Sequence, residues 1–122
     1  MNQTKQRHIG KVGEEFAVQY LLQQGYQVLE LNWVCAWGEI DVVATENDRL
    51  HLIEVKTRRA RTTDEALVNI SDRKKQRMLK SAYAYLHQHQ QEDCAWQIDI
   101  IAIALQPNHL PSLEHIEDAL GW

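Results

Sequence analysis

Four charged side chains sit where buried strands should not tolerate them. The segment from Trp37 to Arg59 reads WGEIDVVATENDRLHLIEVKTRR, and its two apolar runs are broken by Glu39 and Asp41 and then by Glu54 and Lys56. Side chains alternate faces along a strand. Glu39 and Asp41 are therefore expected on one face with Ile40 and Val42 on the other. Likewise Glu54 and Lys56 share a face, with Ile53 and Val55 opposite. Two adjacent strands of this kind gather three carboxylates and one ammonium on a single patch. Burying such groups unpaired costs several kcal/mol. A divalent metal ion is the use that fits them.

Magnesium takes oxygen ligands and is commonly held by one or two carboxylates, with waters and substrate phosphates completing its shell. Asp41 and Glu54 suit that role, the Val55 carbonyl adds a neutral oxygen, and Mg2+ or Mn2+ is the expected cofactor. An ion held there activates water and neutralises charge on a phosphate. Lys56, on the same face as Glu54, is placed to orient the water or stabilise the pentavalent state. Glu15, from the preceding helix, is a further candidate ligand or a base acting through water. Each residue alone also has a purely structural reading. Glu54 and Lys56 can form an ion pair on a solvated face, Asp41 can cap a hairpin, and Asp99 can pair with an arginine. Asp41 and Glu54 on neighbouring strands of one hairpin favour the site.

The elements that must position these groups follow from periodicity. Residues 8–24 repeat apolar side chains (Ile9, Val12, Phe16, Ala17, Tyr20, Leu21) at three- and four-residue steps, which predicts an amphipathic helix ended by Gly25. Gly10 and Gly13, in its first turns, allow close approach of a backbone or a phosphate. Strands are expected over 26–31, 39–45 and 50–57, with a tryptophan-rich connection at 32–38. The polar turn Glu46–Arg49 makes the second and third strands an antiparallel hairpin. Residues 58–70 read as a loop. Ser71 or Asp72 caps a second helix whose expected stripe is Met78, Leu79, Ala82, Tyr83, Tyr85 and Leu86. The run WQIDIIAIAL, residues 96–105, is the best candidate for a central strand. A final strand and short helix are expected within 112–120. A helix between the third and fourth strands implies a right-handed parallel crossover, giving an α/β domain with a mixed sheet.

The 122 residues suit one domain, with two widely spaced cysteines expected as free thiols. No apolar run approaches the ~20 residues that span a bilayer, so a cytoplasmic protein with no membrane partner is expected. The six histidines show no ligand spacing, and a zinc site is not expected. No dinucleotide or P-loop fingerprint calls for a small-molecule cofactor. Net charge is −4, yet nine of the 13 Lys and Arg fall between Lys56 and Lys80, against only Glu54, Asp64, Glu65 and Asp72 among the acids in and beside that window. A basic patch next to clustered carboxylates fits an anionic substrate held over a metal. On charge alone, a solvated helix face is the preferred reading.

Asp41 followed by Glu54-Val55-Lys56 resembles the core motif of the PD-(D/E)xK nuclease superfamily. The ordered blocks GKVGEEFAVQYL, GEIDVVA, LIEVKTR, the lysine-bearing helix and QIDIIAI resemble the YraN-type family of small bacterial proteins, which is similar to archaeal Holliday-junction resolvases. The resemblance covers roughly residues 8–120. It implies a restriction-endonuclease-like αβββαβ core and a metal-dependent endonuclease acting on DNA, with branched or damaged DNA among the candidate substrates. Catalytic roles then fall to Glu15, Asp41, Glu54 and Lys56, and DNA contacts to Arg58, Arg59, Arg61, Arg73, Lys74 and Arg77. A homodimer would match the resolvases. Where the family often carries basic or glycine-rich residues before GEID, this chain has Val34, Ala36 and Trp37. Two other readings stay open: a non-catalytic nucleic-acid-binding module, and an interaction domain built on Trp33, Trp37 and residues 58–70.

Overall fold

In the computed structural model, which describes residues 3–67 and 70–120, the elements run α1 (Gln3–Gln23), β1 (Gln27–Cys35), β2 (Gly38–Glu46), β3 (Arg49–Arg59), α2 (Thr63–Ala66), α3 (Asp72–Gln88), β4 (Ala95–Leu105) and β5 (Ser112–Ile116). The strands form one sheet in the order β1-β2-β3-β4-β5. β3 and β4 pair in parallel and every other neighbouring pair is antiparallel. The sheet is therefore mixed, with α1 and α3 packed against its two faces, and it is consistent with a restriction-endonuclease-like core.

Each face has its own core. Ala17 and Leu21 of α1 pack with Tyr26, Val42, Ala44, Ile53, Ile101 and Ile103. Met78, Ala82, Tyr85 and Leu86 of α3 pack with Trp33, Ile40, Val43, Leu50, Leu52, Ile98 and Ile100. The alternation Leu50, Leu52 against Ile53, and Ile98, Ile100 against Ile101, Ile103, is the period-two pattern of strands covered on both sides. Trp33 belongs to this core, edge-on to Tyr85, which corrects its assignment to an outer interface. Tyr83, by contrast, leaves the expected stripe of α3 and stays half exposed.

Local signals explain the boundaries. Gly25, at φ +92°, ends α1 in a left-handed conformation that glycine adopts without a Cβ clash. Asn47 and Asp48, both at positive φ, make the tight turn between β2 and β3. The Ser71 side chain accepts the Lys74 N–H at 3.1 Å and caps α3. Gly13 lies where α1 crosses β3, and any Cβ there would overlap the buried Thr57 side chain. The close approach expected at Gly13 is to the sheet.

Three expectations are corrected. The tryptophan-rich connection is mostly strand: β1 continues to Cys35, leaving only Ala36 and Trp37 as its turn into β2. The loop after β3 contains α2, capped by the Thr62 side chain on the Glu65 N–H, with Val68 and Asn69 outside the described residues. Residues 117–120 form a turn after β5 where a short helix was expected.

Candidate active site

The β2–β3 ladder runs from Glu46–Arg49 at the turn to Val42–Ile53 and pairs no further. Beyond that point β2 stays with β1 and β3 stays with β4, so the two strands fork. Asp41 and Glu54 are the first residues past the last pair, one on each branch. Asp41 Oδ2 accepts the Val55 N–H at 2.7 Å, replacing the ladder bond that β2 no longer supplies. In an extended strand a residue's N–H and C=O leave on the same edge. The Val55 carbonyl therefore also faces the fork.

Strand alternation breaks at this same place. Ile40 packs under α3 and Val42 under α1, although two-residue spacing puts them on one face. Opposite Asp41, Asn32 of β1 has φ +51°, lying between the pairs Leu31–Val42 and Trp33–Ile40. The hairpin is kinked there, and the kink turns a strand position into a buried polar site. Simple alternation could not reveal it.

Electrostatics concentrate on Asp41. Burial, followed by the nearby Glu54 carboxylate, raises its pKa to about 8, with Glu14 and Glu39 adding to the rise and the Val55 N–H opposing it. Of the two acids in α1, Glu14 is the one that acts on Asp41; its Oε1 accepts a hydrogen bond from Asn32 Nδ2 at 2.7 Å. Glu15 is exposed and lines, together with Glu14, a groove beside Leu31 and Asn32. Neighbouring helical residues point about 100° apart, as the 3.6-residue turn requires, so only one of the pair can face the fork. The sequence reading takes Glu15, whereas Glu14 is the one whose charge acts on Asp41.

The basic residues divide in the same way. Lys56, Arg58, Lys74 and Arg77 line a cleft of about 250 Å3 next to Glu54. Lys74 Nζ lies 2.8 Å from Glu54 Oε1, so the ion pair on this carboxylate reaches across to α3. Burial, then the charges of Arg58 and Lys74, lower the Lys56 pKa, with Glu54 opposing. Arg59 alternates to the other face and borders a groove with Ile9 and Val12 of α1. Arg61 and Arg73 are exposed, and neither is among the residues lining the Glu54 cleft.

The carboxylates and the cation-lined cleft sit within a chain whose residues 13–103 match the model of the family described as "Uncharacterised protein family UPF0102". The chain belongs to this family. UPF0102 proteins similar to it include one from Chloroflexus aurantiacus, 38% identical over 119 residues covering 97% of each chain. Another, from Herpetosiphon aurantiacus, is 38% identical over 113 residues, 89% of this chain and 90% of the relative. A third, from Trichlorobacter lovleyi, is 35% identical over 112 residues, 91% and 88% of the two chains. The UPF0102 match spans the fork, β3, α3 and most of β4. Among the described residues no helix is long and apolar enough to cross a membrane.

A second polar cluster lies away from the fork and was not anticipated. Asp99, fully buried on β4, accepts His51 Nδ1 at 2.6 Å and His115 Nε2 at 2.8 Å on one oxygen. Its other oxygen accepts Gln97 Nε2 at 2.8 Å and the Asp118 N–H at 3.0 Å. Asp99 thus pairs with histidines, where an arginine was expected. His51 and His115 stand 64 positions apart, and only the sheet brings them together. Two histidines and a carboxylate are a possible metal-ligand set. Here both facing nitrogens are engaged on the carboxylate, and Tyr20 Oη lies 3.0 Å from the remaining His115 nitrogen. The cluster ties β5 and the following turn to β3 and β4.

Proposed function

We propose that this protein is a metal-dependent endonuclease that hydrolyses phosphodiester bonds in DNA. The observation that carries this reading is the pair of carboxylates, Asp41 and Glu54, set against each other at a strand fork beside a cleft lined by four cations. Charge on the buried Asp41 is repelled by the partly buried Glu54, and a divalent cation between them would relieve that repulsion, so the donors present fit Mg2+ or Mn2+. Asp41, Glu54 and the Val55 carbonyl would hold it; all three are hard oxygen donors. Bound there, the ion supplies a Lewis acid that activates water and offsets charge on the phosphate.

The chain's own residues supply the rest. Arg58 and Arg77, with Lys74, draw an anionic backbone into the cleft and hold it against Glu54. Lys56 presents an ammonium to the phosphate, and its lowered pKa suits a group that exchanges a proton with water or a leaving oxygen. In the reaction, water oxygen bonds to phosphorus as one ester P–O bond breaks, giving a phosphomonoester and an alcohol. Glu14, hydrogen-bonded to Asn32, adds negative charge on the α1 side of Asp41 that a bound cation would also offset. Glu15 is a more distant helper, reaching the site only through water. Arg59, Arg61 and Arg73 lie outside this cleft and would touch DNA only beyond it.

Cleavage of junction, flap and duplex DNA with Mg2+ or Mn2+ tests the reading. Each of Asp41→Ala, Glu54→Ala and Lys56→Ala is expected to lower the rate by at least about 100-fold, the lower range for losing one acid–base group or electrostatic partner. Cleavage at wild-type rates in all three would overturn the assignment. A second reading, binding without turnover, is favoured by the Lys74–Glu54 ion pair, which already occupies part of the site. It predicts salt-dependent DNA binding and no cleavage with either metal.

A further inference from the structure

We propose that Trp37 is a stacking platform for an unpaired nucleobase, so that the substrate is nucleic acid with single-stranded character at the scissile phosphate. This inference rests on the carboxylate fork being a phosphodiester site and names the substrate class that site takes.

Trp37 occupies half of the two-residue turn between β1 and β2. A turn this short, with Cys35 paired to Gly38 at its base, gives the ring little freedom to fold back onto the core. It remains 50% exposed. Lys80 Nζ sits 4.7 Å from the ring centroid, covering one face with a cation and fixing the ring plane. Isolated exposed aromatics need no explanation on a protein surface. Here the position adds one. Lys80 precedes Ser81, which faces Gly38 and lines a small gap together with Glu39 and Glu54. The tryptophan therefore stands at the end of the branch that carries Asp41, beside the α3 residues that lead into this gap.

An indole presents a flat apolar surface, and every base has a π-face to lay on it. A base inside a duplex is already stacked on both sides and cannot offer that face. An unpaired base can, and its backbone can continue toward the cleft, whose Arg77 lies three residues before Lys80 on α3. Lys80 contributes positive charge beside the same backbone. The hairpin thus joins a sequence-tolerant base contact to the phosphate site, a combination that favours ends, flaps, gaps and loops over continuous duplex.

Binding without metal separates this inference from the chemistry. Fluorescence anisotropy in EDTA, at one fixed salt concentration, would compare a short labelled oligothymidylate with a duplex of equal length. Wild-type protein is expected to bind the single strand more tightly. Trp37→Ala is expected to weaken single-strand binding about 5- to 100-fold, with duplex binding unchanged. Trp37→Phe is expected to retain most of the affinity. Equal loss for both ligands, no loss for either, or no binding of the single strand at all would overturn the proposal. If the Trp37 dependence holds while no substrate is cleaved, the platform stands and the nuclease reading fails. If cleavage depends on Asp41 but single-strand binding ignores Trp37, the platform alone falls.

Discussion

Asp41→Asn is expected to end metal-dependent cleavage and, in the same protein, to raise the thermal midpoint of the metal-free fold. The folded pKa of Asp41 is raised to about 8, chiefly by burial and then by Glu54. The unfolded chain releases that proton near the ordinary aspartate value of about 3.9. Between those limits the folded state holds a proton that the unfolded state has lost, so stability falls as pH rises. The contribution is complete below about pH 4, is lost progressively, and is gone above about pH 8. Asparagine is neutral throughout and can still accept the Val55 N–H. The variant should therefore gain on wild type across this interval, reaching on the order of a few kcal/mol at its upper end. Thermal midpoints in EDTA from pH 4 to pH 9, for both proteins, check this. A variant less stable than wild type at pH 8 would contradict it. Metal binding needs the ionised carboxylate, so uptake of Mg2+ below pH 8 should release a proton.

Asp99→Ala should act in the opposite direction and do more damage. The carboxylate is fully buried and takes two histidine nitrogens, the Gln97 amide and the Asp118 N–H. Removing it strands the nearly buried His51 and His115 donors, at about 1–3 kcal/mol each, and takes an acceptor from the less buried Gln97 amide and Asp118 N–H. The total is a large part of the ~5–15 kcal/mol that holds an ordinary domain together. Global unfolding is the expected outcome, read as loss of the cooperative transition in urea. His115→Gln provides a graded version that loosens β5 first, detectable as faster amide exchange in Ser112–Ile116 with α1 unaffected. Burial pushes the Asp99 pKa up, but the bonds from His115, His51, Gln97 and Asp118 outweigh it and hold the group well below the usual carboxylate range. Its contribution to stability is therefore complete above about pH 4 and is lost as pH falls further. An Asp99→Ala protein as stable as wild type at pH 7 would show the cluster to be incidental.

How much of this was legible in the sequence depends on the range of the interaction involved. The long helices α1 and α3, the β2–β3 hairpin and the parallel crossover follow from periodicity, caps and turn residues, all of which act within a few positions. The pairing of Asp41 with Glu54 was also readable, because one tight turn fixes the register between their strands. The fork was not. It coincides with Asn32 in a left-handed conformation opposite Asp41, where the Asn32 side chain donates to Glu14. The phase of α1 relative to the sheet, which puts the charge of Glu14 on Asp41, is likewise a matter of packing. Nor could the chain alone show that Glu54 would meet Lys74, since α3 reaches it only by packing across the sheet. The His51–Asp99–His115 cluster draws on three strands, and its one sequence signal was a carboxylate interrupting the apolar run of β4. A buried charge in a central strand implies partners, but it does not name them.

The central claim is that Asp41 and Glu54 share a divalent metal at the fork. Crystals soaked in millimolar Mn2+ test it most directly, through the anomalous scattering of the ion. The account predicts a single strong peak between the Asp41 and Glu54 carboxylates, near the Val55 carbonyl, and no such peak in Asp41→Asn crystals treated alike. A fork that stays without anomalous density at that concentration, with Lys74 still on Glu54, would contradict it.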